Sequence, residues 1–313
     1  MIPSFVKERE EQGLGFDLYF AGTQNNDAEM WMLNHGSCRL QSQVNDRTNI
    51  KRWVETDNNG KLFIDSGAYT AFTKNKPVDV DEYISYINGI SFKLHCFAQV
   101  DHITGKGETK NDTARLSWEN FLYMRSRVQE PHKLVPIFHQ GEDLYWLKNM
   151  LEYSDDIGKL DYIGFGAMVG TGVTRDDKCL FFDRAFSVIE RSSNPNVKVH
   201  AMGMTSLQLL ECYPFYSADS TSWIMQAATG SIFTPWGLVD VSDKTKFEKS
   251  NCLNSAPGFV EQLTNWLNTI GFTLQEIRDS YRPRTICNLI ALTDWAKNYK
   301  YRGGNRITKK SLF

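Results

Sequence analysis

The sequence predicts an α/β protein, a (β/α)8 TIM-like barrel carrying an added β-hairpin and C-terminal helices, and three observations carry that expectation. Short apolar runs alternate with longer amphipathic stretches, the pattern of βα units around a parallel sheet. Five of these runs end in Asp, His, Gln or Gly: LFIDSG (62–67), CFAQVD (96–101), LVPIFHQG (134–141), YIGFGAMVG (162–170) and FYSADS (215–220). In a barrel, residues at the carboxyl ends of strands share one mouth, so repeated polar endings point to a shared site. Finally, 313 residues suit one barrel of about 250 residues with additions.

Strands are expected at 17–22, 62–64, 96–100, 134–138, 162–165, 197–202 and 215–218, one short of a closed barrel. Between them, apolar periodicity marks helices at 80–90, 117–129, 144–153, 180–191 and 206–213. Asp79 or Asp81 can cap the first of these, and Thr205 or Ser206 the last. No GxGxxG follows the first strand, which argues against a doubly wound dinucleotide-binding sheet. Beyond Asp219 the pattern changes. GSIFTPWGLVD (230–240) reads as a hairpin with Pro235, Trp236 and Gly237 near its tip. Helices follow at 258–270 and 284–297, with a short one at 274–281. No linker or low-complexity stretch divides the chain, so residues 1–313 are expected to form a single domain, 60–240 being its core.

Hydrophobic residues make up 41% and charged residues 23%, which excludes disordered and fibrous classes. A net charge of −2 gives no global attraction to nucleic acid, so any basic surface must be local. KNYKYRGGNRITKK (297–310) is such a segment, without an acid and with Tyr299 and Tyr301 between its cations. Lys300, Arg302 and Arg306 there suit contact with a phosphate backbone, although a solvated chain end reads the same way. The six cysteines show no CxxC pairing, as expected of free thiols in a reducing, cytoplasmic setting. The first residues lack an apolar run and no stretch reaches 18 apolar residues, so neither export nor a membrane span is expected.

Three carboxylates, Asp65, Asp101 and Asp219, would meet at the mouth with His139, Gln140, Gly164, Gly166, Met202 and Gly203. Like charges at close range raise one another's pKa or require a cationic centre between them, so their convergence implies chemistry. Singly, Asp65 before Ser66 and Gly67, and Asp219 before Ser220 and Thr221, also suit turns or helix caps.

The string DSGAYTAF (65–72) resembles the DSGG(F/Y)Q motif of the tRNA-guanine transglycosylases, and the other strand ends follow that family's order. VDH (100–102) stands where the family has FDEC, HQG (139–141) resembles VQGG, and IGFGAMVG (163–170) resembles IGGLSVG. HAMGM (200–204) is similar to LMGVG, SADSTSW (217–223) falls at FDCVMPTR, and GSIFTPWG resembles the hairpin that follows. The resemblance covers about 60–240 and continues more weakly to Lys297. It implies exchange of guanine in a nucleic acid for a free 7-deazaguanine base by double displacement. Asp219 matches the nucleophile and Asp65 the proton-transfer group, while Ser66, Asp101, Gln140 and the backbone around Gly166 match base-reading positions. Met202 and Tyr69 match residues that sandwich the base.

The departures carry information too. Ala68 and Thr70 replace Gly and Gln of the first motif, His102 replaces Glu, and Ser222, Trp223 and Ile224 stand in place of PTR. The family's zinc motif CxCxxC with a later HNL is reduced to Cys252 in NCLN and Cys287 in ICNL. Two thiolates cannot close a tetrahedral site, so neither zinc nor another cofactor is expected. This reduction and the compact length resemble the viral, DpdA-like branch that acts on DNA, which implies a host-cytoplasmic location and a guanine flipped from the stack, with Trp223 or Trp236 as a wedge. Action on tRNA is the alternative; a non-catalytic nucleic-acid-binding barrel and a nucleosidase are further ones. Oligomeric state, sequence context and the identity of the inserted base stay open.

Overall fold

The structure, a computed structural model, describes residues 2–22, 25–166, 173–204, 206–242 and 257–303. Its centre is a parallel sheet wrapped into a nearly closed barrel. The strands are β1 (Asp17–Ala21), β2 (Arg39–Ser42), β3 (Leu62–Asp65), β4 (Cys96–Ala98), β5 (Leu134–Val135 and Ile137–His139), β6 (Tyr162–Gly166), β7 (Lys198–Ala201) and β8 (Ser217–Ser220). They pair in the ring order β5-β4-β3-β2-β1-β8-β7-β6-β5. Pro136 splits β5, because proline has no amide hydrogen for the ladder. The two halves pair with opposite neighbours: Val135 lies beside Ala98 of β4, and Ile137 beside Gly164 of β6.

Alternation along each strand builds two layers. Tyr19, Leu40, Phe63, Cys96, Val135, Ile137 and Tyr162 fill the barrel. Phe20, Ile64, Phe97, Phe138, Phe165, Val199 and Ala218 face the surrounding helices. The strand that sequence reading lacks is β2, and its composition explains why. Arg39 and Gln41 are both fully buried, which breaks the apolar run that marks the other strands. They are tolerated because Glu29 accepts hydrogen bonds from Arg39 Nε and Nη2 (3.2 and 3.0 Å), Gln41 Nε2 (3.1 Å) and Trp53 Nε1 (2.5 Å). A buried charge needs such partners.

The helices are α1 (Ser4–Gln12), α2 (Asn26–Asn34), α3 (Arg47–Glu55), α4 (Ala68–Thr73), α5 (Val80–Ile90), α6 (Lys110–Arg125), α7 (Leu144–Glu152), α8 (Arg175–Glu190), α9 (Leu207–Cys212) and α10 (Ser222–Thr229). Asp79 caps α5 by accepting from the Glu82 amide, and Ser206 caps α9. Helix α6 starts at Lys110, earlier than apolar periodicity suggests, because Thr109 and Asp112 form a capping box ahead of its first apolar turn.

A hairpin, β9 (Ser231–Thr234) and β10 (Gly237–Asp240), leads to α11 (Pro257–Thr269), α12 (Leu274–Asp279) and α13 (Tyr281–Lys297). A second core of Ile232, Val239, Val241, Leu263, Leu267, Ile277 and Cys287 joins them. Asn288 couples this core to the barrel: its Oδ1 accepts from the Phe233 amide at 2.7 Å, and its Nδ2 donates to the Trp223 carbonyl at 2.8 Å. The far end of α13 returns to the barrel, where the Ala296 carbonyl accepts from the Phe16 amide just before β1. Among the described residues, no helix is long and apolar enough to cross a membrane.

Candidate active site

Asp65 ends β3, and the next turn determines where its carboxyl sits. Gly67 has a φ of 75°, and a Cβ there would lie 2.5 Å from Val44 Cγ2 and 2.7 Å from Ser42 Oγ. Only glycine fits, so the chain turns sharply into α4 and leaves Asp65 at the strand end. The Gly67 amide donates to Asp65 Oδ2 at 3.0 Å. Burial, reinforced by the charge of Asp101 and then of Asp219, pushes the Asp65 carboxyl up to about 7 despite that hydrogen bond. A group with this affinity can give and take a proton near neutral pH.

Asp101 lies just beyond β4 and is held on both oxygens. Gln99 Nε2 donates to Oδ1 at 2.8 Å, and His139 Nε2 lies 3.3 Å from Oδ2. His139, the last residue of β5, turns its other nitrogen to Glu142, with Nδ1 to Oε1 at 2.9 Å. Burial alone would lower the His139 pKa, yet the Asp101 and Glu142 carboxylates hold it at about 10.

Asp219 lies on β8 and is buried. Its Oδ1 accepts from the Gly203 amide at 2.7 Å and faces His200 Nε2 at 3.2 Å. His200 is fully buried, and its Nδ1 meets Ser217 Oγ at 2.5 Å. Ser217 also bonds the Tyr162 hydroxyl, so a polar chain runs from Asp219 into the barrel.

The remaining space is set by glycines on β6. A Cβ on Gly166 would lie 2.7 Å from the His139 ring, and one on Gly164 would lie 2.4 Å from Ile137 Cδ1. Gln140 donates its amide to the Gly166 carbonyl at 3.1 Å, while its side-chain Oε1 is buried without a partner. An unfilled acceptor in a polar cleft is suited to a ligand donor. Ser66, after β3, is buried, its carbonyl accepting from Gln43 Nε2 at 3.1 Å, and Met202 is half-buried beside the barrel-filling side chains.

The expected residues do not all meet. Tyr69 stands on α4 close to Asp65 in sequence but is 69% exposed, so its ring covers nothing in this state. Trp223 is no wedge: it is fully buried, with Nε1 donating to the Ala21 carbonyl at 2.9 Å. The described part of the tail, 297–303, lies at the opposite face of the barrel. Tyr299 packs on Phe16 ahead of β1, and the Arg302 guanidinium pairs with Glu211 at 3.0 Å near the end of α9. Lys300 and Arg302 therefore sit at the amino-terminal ends of the strands, away from the three carboxylates. Arg306, Cys252 and residues 167–170 lie outside the described residues. Cys287 is sealed in the second core, which pushes its thiol up to about 12. Among the described residues, no group of three or more His, Cys, Asp or Glu is arranged to hold a metal ion.

Sequence reading did not assign roles to His139, Glu142, Gln99, His200, Ser217 or Tyr162. A signal existed for two of them, because His200 and Ser217 share the inward parity of Met202 and Asp219 on their strands. No protein-family model and no curated protein matches the chain.

Proposed function

We propose that the chain is a transferase that replaces guanine in DNA with a 7-deazaguanine base through a covalent aspartyl intermediate. The observation that carries this reading is the trio of carboxylates at one mouth, of which Asp65 keeps a proton to about pH 7. Asp219, oriented by the Gly203 amide, attacks the anomeric carbon as guanine departs, and its negative charge stabilises the oxocarbenium-like centre. Asp65 gives its proton to the leaving base. It then takes one from the incoming base, whose ring nitrogen displaces Asp219, so the carboxyl ends as it began. Asp101 accepts from donors on the base edge, and the unfilled Gln140 Oε1 accepts another. The ring clearance left by Gly164 and Gly166 gives a flat base room above β6.

DNA rather than tRNA is favoured by the reduced zinc motif, in which only Cys252 and Cys287 remain. The test is incubation of labelled 7-deazaguanine with DNA and, separately, with unmodified tRNA. Label in DNA is expected. Label in tRNA alone would replace the substrate, release of guanine without incorporation would assign a nucleosidase, and the absence of both incorporation and release would end the reading. Asp219→Asn is expected to abolish the covalent DNA adduct seen on denaturing gels, whereas a persisting adduct would move the nucleophile elsewhere.

A further inference from the structure

Both ring nitrogens of His139 face carboxylates, Nε2 toward Asp101 Oδ2 at 3.3 Å and Nδ1 toward Glu142 Oε1 at 2.9 Å. A neutral imidazole has one N–H and one lone pair, so one of these contacts would set a lone pair against an anionic oxygen. Only the imidazolium satisfies both. Its surroundings reinforce the arrangement. Glu142 is itself fixed, because its Oε2 accepts from the His139 amide at 2.9 Å, and its side chain is only 4% exposed. Gly166 and Ile137 close the ring from β6 and β5. The charged groups acting on it are Asp101 after β4 and Glu142 after β5, and the Lys110 ammonium sits on the neighbouring Gln140 carbonyl; Asp65 at β3 interacts in turn with Asp101 and Asp219.

We propose that His139 is a fixed cation that decides which carboxylate of the trio carries the proton: it locks Asp101 as a permanent acceptor and leaves the proton to Asp65. This deepens the transferase reading and rests on it only for its consequence in catalysis. Asp101 has a cation on Oδ2 and an amide donor from Gln99 on Oδ1, so protonating it would break a charge-assisted contact. Asp65 has a single backbone amide on Oδ2 and three neighbouring carboxylates, Asp101, Asp219 and Asp46, so protonating it relieves repulsion. His139 touches no reacting atom, which makes it a positioning residue. A consequence follows for recognition, since an acceptor that never becomes a donor selects a base edge presenting N–H groups and rejects one presenting lone pairs.

The charge state is read directly from the nitrogen chemical shifts of the His139 ring in labelled wild-type protein, with no need for activity. Both nitrogens are expected to be protonated at pH 8, and a neutral ring at pH 7 overturns the proposal. In His139→Gln, which keeps a donor but loses the charge, the Asp65 carboxyl carbon is expected to lose its separate step near pH 7 as the proton spreads over neighbouring carboxylates. The pH profile of exchange shifts with it, with kcat falling more than KM changes. Unchanged carboxyl midpoints in that variant overturn the proposal even if the ring is charged. Should His139→Gln fail to fold, Glu142→Gln supplies the same test through a lower His139 midpoint. A wild-type protein that shows the charged ring but exchanges no base would retire the transferase reading alone.

Discussion

Asp65 binds its proton to about pH 7 in the folded chain against an ordinary 3.8, so the native state holds one more proton than the unfolded state between these values. Stability conferred by that proton is complete below about pH 4 and is lost as pH rises through 7. Asp65→Asn mimics the protonated acid without the later charge. It is expected to be more stable than the parent at pH 8 by on the order of 2–4 kcal/mol, and nearly equal to it at pH 4. Denaturant titrations at the two pH values check this, and an equal destabilisation at both would show that Asp65 is not strained by its charge. His139 works in the same direction from a different sign. Its pKa is raised from 6.5 to about 10, so its pairing stabilises fully below 6.5 and is lost as pH climbs to 10. Asp155 sets the acid limb. Its hydrogen bonds from Arg125 hold it down at about 2, so that contribution disappears only as pH falls toward 2.

Strand β6 shows how an element can serve a site by what it lacks. Tyr162, Gly164 and Gly166 share its inward face, and the two glycines clear the volume that Ile137 and His139 occupy. Gly166→Ala would place a methyl 2.7 Å from the His139 ring, and overpacking of this kind costs about 1–3 kcal/mol. Loss of exchange activity together with a lower melting temperature is expected. Gly258→Ala on α11 meets nothing within 4 Å and serves as the control, with no loss of either. The same strand bears on legibility. Its polar ending was readable because position at a strand end dictates position at the mouth, and Asp65, Asp101, Gln140, Gly166 and Asp219 were all singled out on that ground. His200 and Ser217 were passed over, although they share the inward parity of Met202 and Asp219, because they sit deeper in their strands than the polar endings. Strand β2 escaped because the Glu29–Arg39 pair is buried, and three polar residues, Arg39, Gln41 and Ser42, in a four-residue strand resemble a loop.

For the whole molecule, the two faces of the barrel divide the labour differently from what charge composition suggests. A cluster of cations in the last residues reveals charge but not which end of the barrel receives it, and α13 returns the chain to the face opposite the carboxylates. Exposed cations on the carboxylate side include Lys74, Lys76 and Lys106 in the loops after β3 and β4, near the exposed rings of Tyr69 and Phe72. If DNA is held at the mouth, replacing these three lysines with Gln is expected to lower the slope of log affinity against log salt by about 2–3. Replacing Lys300 and Arg302 is expected to leave that slope unchanged. Equilibrium binding at several salt concentrations decides between the faces, and the reverse result would return the interface to the tail.

Pro136 gives the ring a seam. Ahead of it the chain is zipped to β4, beyond it to β6, and no register spans both sides of the joint. A cylinder fastened in this way opens by unzipping, like a ribbon whose two ends have been overlapped, and the overlap ends at His139. The amides flanking the seam should exchange with deuterium sooner than those of β1 or β7. The segment just beyond the seam carries His139 and the unfilled Gln140 acceptor, so any loosening of the joint reaches the mouth there first.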